Sequence, residues 1–370
     1  MLRAIAASVV FGIAGVAVTL WWLGEDLSTV VHVPAWAFAV GAVLVLVNYV
    51  AGALRLILLA RLSNTHIGFG KAMRAYALGL FSAAITPGSA GQAPAVALAL
   101  TRDGMKASQA WSMNLFVWVV DLTFLAWTLP ISVLLIGRST RLLANVDPLA
   151  LALGLFVFIA VLGYVLLFRL RWTVPLVAAV MRLPVLRRWR VGVLDFVNRV
   201  DAANVTLRRA GLGTQLVLHA LTATVYVSTY LVFYVVVAAL RPGAPLFVTM
   251  AVAQVPMVLS SFLPTPGGAG LLELLTATLL RAGATDAAPG AVGLQGGMET
   301  LDPATMLDAG AGGGAGASSG SVAAAVLAWR LLTYYTRLVI GPALGGTALR
   351  KNAREPSAPP RHDASLDRLQ

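Results

Sequence analysis

Six stretches of this chain run for about 20 residues with few charges, and that feature restricts its fold more than any other. They are 4–23, 35–59, 107–135, 149–168, 212–240 and 322–340. A helix rising ~1.5 Å per residue needs about 20 residues to cross ~30 Å of hydrocarbon, where every backbone N–H and C=O must find an internal partner. The fold class that follows is an all-α polytopic membrane protein with about six full spans. Composition agrees, since 59% of residues are apolar and only 11% charged, against about a quarter charged in soluble domains. The first run resembles a signal peptide, but no small-x-small cleavage site precedes Gly24-Glu25-Asp26, so it is read as a retained span.

Loop charges set the orientation. Residues 24–33 carry Glu25 and Asp26 and no base, whereas the next connection carries Arg55, Arg61, Lys71 and Arg74. The segment 169–209 holds nine Arg against Asp195 and Asp201, and 282–320 holds four acids and no base. With basic loops inside, both termini are expected in the cytoplasm of a bacterial or archaeal cell, the chain lying in its plasma membrane. Weakly basic 138–147 and the single Arg241 and Arg281 then fall outside, against the trend. The net charge of +12 is explained the same way, with no need of nucleic acid as a partner. Residues 1–345 read as one transmembrane domain. Within it, 171–210 is a cytoplasmic connector and 282–320 a flexible external loop rich in Gly and Ala. Residues 346–370 read as a disordered tail. In the connector, Val193, Phe196, Val197, Val200 and Leu207 share one helical face, which suits either a helix on anionic headgroups or a solvated linker. Trp21, Trp22 and Trp172 read as interface anchors.

Two further apolar stretches, 72–100 and 245–280, are each broken in the middle by nearly the same six residues. Thr86-Pro87-Gly88-Ser89-Ala90-Gly91 matches Thr265-Pro266-Gly267-Gly268-Ala269-Gly270 at five of six positions, and Ser82 aligns with Ser261. Proline and paired glycines end a helix, and a break inside lipid must be buried in protein or face a wet cavity. The charge map sends the first broken segment in from the inner face and the second from the outer face. Two re-entrant hairpins in an inverted repeat follow, with a site near the midplane where half-helix N-termini present free N–H groups to an anion such as phosphate. The arm 245–263 is also long enough to span outright, which would leave only one true hairpin.

The residues that carry a family resemblance are now in view. Thr86 to Gln92 followed by Arg102-Asp103-Gly104, then Pro264-Thr265-Pro266-Gly267-Gly268-x-Gly270-x-x-Glu273, then Trp329 to Tyr335, resemble the flippase-like family typified by the transmembrane region of lysylphosphatidylglycerol synthase. The likeness spans roughly residues 35–345. It implies movement of polar lipids between leaflets. This chain departs from the family pattern at Gln92-Ala93-Pro94, where many relatives carry an acid, and at Val117 and Trp118 ahead of Asp121, where many carry Glu-Arg. The first motif is therefore expected to be less charged here. The aminoacyl-transferase domain of the synthase is expected to be missing, since the residues after Gly345 are few and polar.

Charges within the spans are costly, ~2.5–3.5 kcal/mol each on insertion scales, and so are expected in pairs. Glu273 sits one turn into a half-helix. It reads either as a ligand for a cationic headgroup or a proton relay, or as the cap of its own helix. Asp121 lies mid-span. Arg330, Arg337 and Arg55 are candidate partners for these acids; Arg330 also suits a lipid phosphate, and Arg55 is expected to snorkel to the interface. The candidate substrate site comprises Thr86, Pro87, Gly88, Gly91, Gln92, Asp121, Thr265, Pro266, Gly267, Gly268, Gly270, Glu273 and Arg330. No cysteine occurs, and His32, His66, His219 and His362 show no ligand spacing, so neither metal nor cofactor is expected. No GxxxxGK[ST] sequence is present, which excludes P-loop ATP hydrolysis within the chain. The expected function is translocation of a polar lipid, anionic or prenyl-phosphate, with no enzymatic activity. The alternatives are a membrane enzyme acting on a lipid-linked substrate, or an accessory protein that transports nothing. The oligomeric state is open.

Overall fold

A computed structural model describes residues 33–139, 147–168, 210–262, 265–282 and 319–351, with a few isolated positions besides. The expected span 4–23, the connector helix, the loop 282–320 and the tail lie largely or wholly outside them. Ten helices occur among the described residues: α1 (Ala35–Leu62), α2 (Phe69–Ile85), α3 (Gln92–Arg102), α4 (Ala107–Ser139), α5 (Pro148–Phe168), α6 (Leu212–Leu240), α7 (Leu246–Ser260), α8 (Leu271–Arg281), α9 (Ser319–Arg330) and α10 (Thr336–Lys351). A π turn, Leu331–Tyr335, joins α9 to α10 without a break.

Four helices among the described residues, α1, α4, α5 and α6, are long and apolar enough to cross a membrane. The protein is membrane-embedded. The expected segment 322–340 is helical throughout but lies across α9, the π turn and α10. The helix α7 stops at Ser260 after 15 residues, roughly 22 Å and short of the ~30 Å of hydrocarbon, which is the length the hairpin reading expects.

Each broken stretch is thus a pair of short helices around a loop: α2 and α3, of 17 and 11 residues, and α7 and α8, of 15 and 11. Each pair is embedded in its own core. Ala72, Tyr76, Leu80, Val96 and Leu100 of the first pair bury against Leu56 and Leu59 of α1 and Met113 and Phe116 of α4. Val252, Leu272 and Leu280 of the second bury against Val232 and Val236 of α6 and Val326 and Trp329 of α9. Side-chain hydrogen bonds add register. Gln254 of α7 donates to Thr128 at 2.7 Å and accepts from Ser132 at 2.8 Å, which fixes the second pair to α4. The last helical run touches both pairs, α9 against α8 and α10 against α2, so its π turn falls where the two halves meet.

Candidate functional site

The two loops make the same pair of turn hydrogen bonds. In the first, Ser89 N–H donates to the Thr86 carbonyl at 3.3 Å and Ala90 N–H to that of Pro87 at 3.1 Å. In the second, Gly268 N–H donates to Thr265 at 3.3 Å and Ala269 N–H to Pro266 at 3.1 Å. Gly88 and Ser89 have φ of 57° and 58°; Gly267 and Gly268, their counterparts, have 58° and 70°. Consecutive left-handed residues explain why the pattern holds glycine there. The loops also touch. Pro87 faces Pro266 in an isolated antiparallel bridge, and since proline donates no hydrogen bond, the flanking Thr and Gly groups must make it.

The loops differ in how the following helix is capped. Thr86 Oγ accepts from Gly91 N–H at 2.8 Å while donating to the Ser82 carbonyl at 2.6 Å. In the second loop Glu273 takes over, its Oε2 accepting from Gly270 N–H at 2.8 Å, and the Thr265 hydroxyl is buried with no partner among the described residues. The position equivalent to Glu273 is Pro94. The first motif is uncharged here because a threonine does the capping. Thr86→Val should therefore cost about 1 kcal/mol, the usual worth of a cap, read as a fall in melting temperature in detergent. The matching Thr265→Val should be neutral or slightly stabilising.

Glu273 is wholly buried, and it serves as cap and counter-ion together. Its Oε1 lies 2.8 Å from Nε of Arg330, itself only 4% exposed, without the alignment of a hydrogen bond. Arg330 is held on three sides. Its Nη1 donates to the Gly267 carbonyl at 3.3 Å, and its guanidinium carbon lies 4.3 Å from the centroid of the Tyr334 ring. Tyr334 in turn reaches the Ala84 carbonyl of the first pair at 3.5 Å. The π turn follows Arg330 directly, and such turns recur at functional sites. Nη2 of Arg330 is buried with no acceptor among the described residues.

A cavity of about 70 Å³ lies at this junction. Ser89, Gly267, Gly268, Ser260, Ser261, Arg330, Thr333 and Arg337 contribute its polar and backbone lining, with Trp329 and Tyr334 beside them. On the opposite face of α7 and α8 runs an apolar groove of about 560 Å³ between those helices, α4 and α5. Leu122, Leu129, Phe158, Ile159, Val258 and Leu279 are among its walls.

Of the sequence-predicted site residues, Gly267, Gly268 and Arg330 line the cavity. Thr86, Pro87, Gly88, Gly91, Thr265, Pro266 and Gly270 shape the loops around it, and Glu273 stands behind Arg330. Gln92 opens α3 beside Gly79, away from the cavity lining. Asp121 lies elsewhere, in a second buried pair. Arg55 Nη1 meets Asp121 Oδ1 at 2.5 Å and the Thr222 hydroxyl at 3.2 Å. This corrects the expectation for Arg55. It is 4% exposed and paired within the bundle instead of reaching the interface, because Asp121 supplies a counter-ion nearer than water. Sequence reasoning also passed over Asn48, which donates to the Val225 carbonyl and the Thr229 hydroxyl and accepts from Tyr76. A lone Asn in an apolar span was its signal.

The sequence matches the family described as lysylphosphatidylglycerol synthase TM region over residues 6–296. The chain belongs to that family. No curated protein matches it closely enough to serve as a relative. The matched residues of the family include both broken pairs and Glu273, while Arg330 and the π turn lie beyond them.

Proposed function

We propose that this family member is a translocator of phosphate-bearing lipids, built as an inverted repeat of six spans and two re-entrant hairpins. The observation that carries the proposal is Arg330 Nη2, a buried cationic donor with no acceptor among the described residues, at the seam between two helix breaks. A buried charge left partly unsatisfied is expensive unless a ligand completes it. Around it lie a second arginine, the left-handed loop backbone and the Ser89 hydroxyl, while the Ser260 and Ser261 hydroxyls already donate to the Met257 carbonyl, each at 2.9 Å. The one acid beside it, Glu273, is already committed to Gly270 N–H and to Arg330 itself. An anion the size of a phosphate is the chemistry that fits.

The bridge between Pro87 and Pro266 supports the repeat. A two-fold axis in the membrane plane brings equivalent residues together antiparallel, and these two are equivalent. The apolar groove offers a path for the hydrocarbon chains, since Leu259 and Phe262 adjoin Ser260 and Ser261 at the end of α7. The lipid is an anionic or prenyl-phosphate species, moved across a prokaryotic plasma membrane with both termini inside. The chain moves it without chemical change.

The absence of cysteine makes the site easy to probe. In Ser89→Cys and Ser261→Cys, farnesyl phosphate should slow maleimide labelling of both positions, while dodecyltrimethylammonium should not. Labelling of both positions unaffected by any phosphate lipid would contradict an anion site here and return weight to an enzymatic or accessory role.

A further inference from the structure

The second loop carries two side chains suited to cap α8, and one of them is idle. In the first loop Thr86 Oγ accepts from Gly91 N–H, and Gly91 is right-handed at φ −76° and ψ −13°. In the second, Glu273 Oε2 accepts from the equivalent Gly270 N–H, and Gly270 is left-handed at φ 91° and ψ −64°. Thr265, the counterpart of Thr86, keeps its hydroxyl, buried and with no partner among the described residues. The turn before the cap is alike in both loops, in its two hydrogen bonds and in its pair of left-handed residues. The difference begins at the residue that joins loop to helix.

That residue is glycine in both loops, and glycine takes either sign of φ with little penalty. The space around Gly270 is open, since a Cβ built there meets no atom within 4 Å beyond its chain neighbours. A turn of Gly270 to the conformation of Gly91 would hand its N–H to Thr265 and change the direction in which α8 leaves the loop. The first loop has no such choice, because Pro94 stands where the second has Glu273.

Anion binding supplies the reason to switch. Glu273 and Arg330 are both buried, so a phosphate on Arg330 brings like charge against the Glu273 carboxylate. Release of Glu273 with no second cap would leave the Gly270 N–H unpaired within the protein, which is costly.

We infer that Thr265 is a reserve cap, taking Gly270 N–H when a phosphate on Arg330 displaces Glu273, so that α8 changes direction without losing its cap. Thr265 is thus a positioning residue for transport, acting through Glu273 and not on the lipid. The inference rests on the function proposed above and deepens it. Alternating access in an inverted repeat moves one repeat against the other, and the first loop displays the conformation that the second reaches.

Two measurements on the full chain test this. The first is melting in detergent. Thr265→Val should leave the melting temperature of the wild type level or slightly higher, because the hydroxyl bonds nothing there. In the background Arg330→Gln with Glu273→Ala, where both charges and the carboxylate cap are gone, the same substitution should lower the melting temperature as the loss of a cap does. Thr265→Ser in that background should keep most of the stability, since serine also caps. The second measurement is leaflet exchange of a fluorescent prenyl-phosphate lipid. Thr265→Val should slow it about fivefold, the worth of one cap, and Thr265→Ser should run near the wild-type rate. Thr265→Val neutral in both backgrounds, or equally destabilising in both, overturns the reserve cap and leaves translocation standing. Exchange at the wild-type rate in Thr265→Val overturns its role in transport. No exchange by the folded wild type overturns the proposed function and this inference with it.

Discussion

Arg330→Gln is expected to lower the unfolding free energy by about 3–5 kcal/mol and to abolish lipid exchange. The stability loss arises because Glu273, wholly buried, would be left with no counter-ion, the usual cost of breaking one side of a buried pair. Glu273→Gln should be milder, since a glutamine oxygen still caps Gly270 N–H at the same position. Stability should largely return in the double variant Arg330→Gln with Glu273→Gln, because both charges leave together. Exchange should not return with it. Melting curves in detergent, set beside exchange rates in vesicles, separate the two effects. Recovery of exchange along with stability would mean that Arg330 serves the fold alone.

Gly267→Val and Gly268→Val should each eliminate exchange while leaving the protein inserted. Both glycines are left-handed, at φ 58° and 70°, where a β-branched residue costs on the order of 1–3 kcal/mol. Space is short as well. A Cβ on Gly268 would stand 2.6 Å from the Ser260 hydroxyl, and one on Gly267 would run into the Tyr334 ring that supports Arg330. Gly267→Val should therefore displace Arg330 as well as the loop. Insertion should survive because α1, α4, α5 and α6 do not depend on the loop conformation. Expression in the membrane fraction at wild-type level, with exchange lost, is the predicted result. By contrast, Gly163→Val in α5 meets no atom and should change neither.

Much of this arrangement was legible in the sequence because the bilayer enforces simple rules. The spans α1, α4, α5 and α6 follow from apolar length alone, and both helix breaks follow from Thr-Pro-Gly motifs where lipid forbids an open backbone. The pairing of Glu273 with Arg330 was within reach for the same reason, since an acid in a span seeks a base. Which base it finds is a matter of packing. Arg55 lies toward the end of its helix and reads as a snorkelling residue; only the fold brings Asp121 and Thr222 against it. The length of α7 was ambiguous because its apolar run continues past the point where Ser261 and Phe262 turn. Glu273 is cap and counter-ion at once, so the expected helix cap and the expected arginine partner meet in one side chain. The contact between Pro87 and Pro266 has no local signal at all, since their separation of 179 residues is closed by the packing of both the last helical run and α4 on the two pairs.

The most direct measurement is leaflet exchange of a fluorescent prenyl-phosphate lipid in proteoliposomes, followed by quenching of the outer leaflet with dithionite. Wild-type protein should expose nearly the whole label to quenching, the double variant Arg330→Gln with Glu273→Gln should leave about half protected, as in protein-free vesicles, and a trimethylammonium lipid should remain protected throughout. Equal exchange by wild type and the double variant, or none by folded wild type with any phosphate lipid, would contradict translocation through the junction of the two loops.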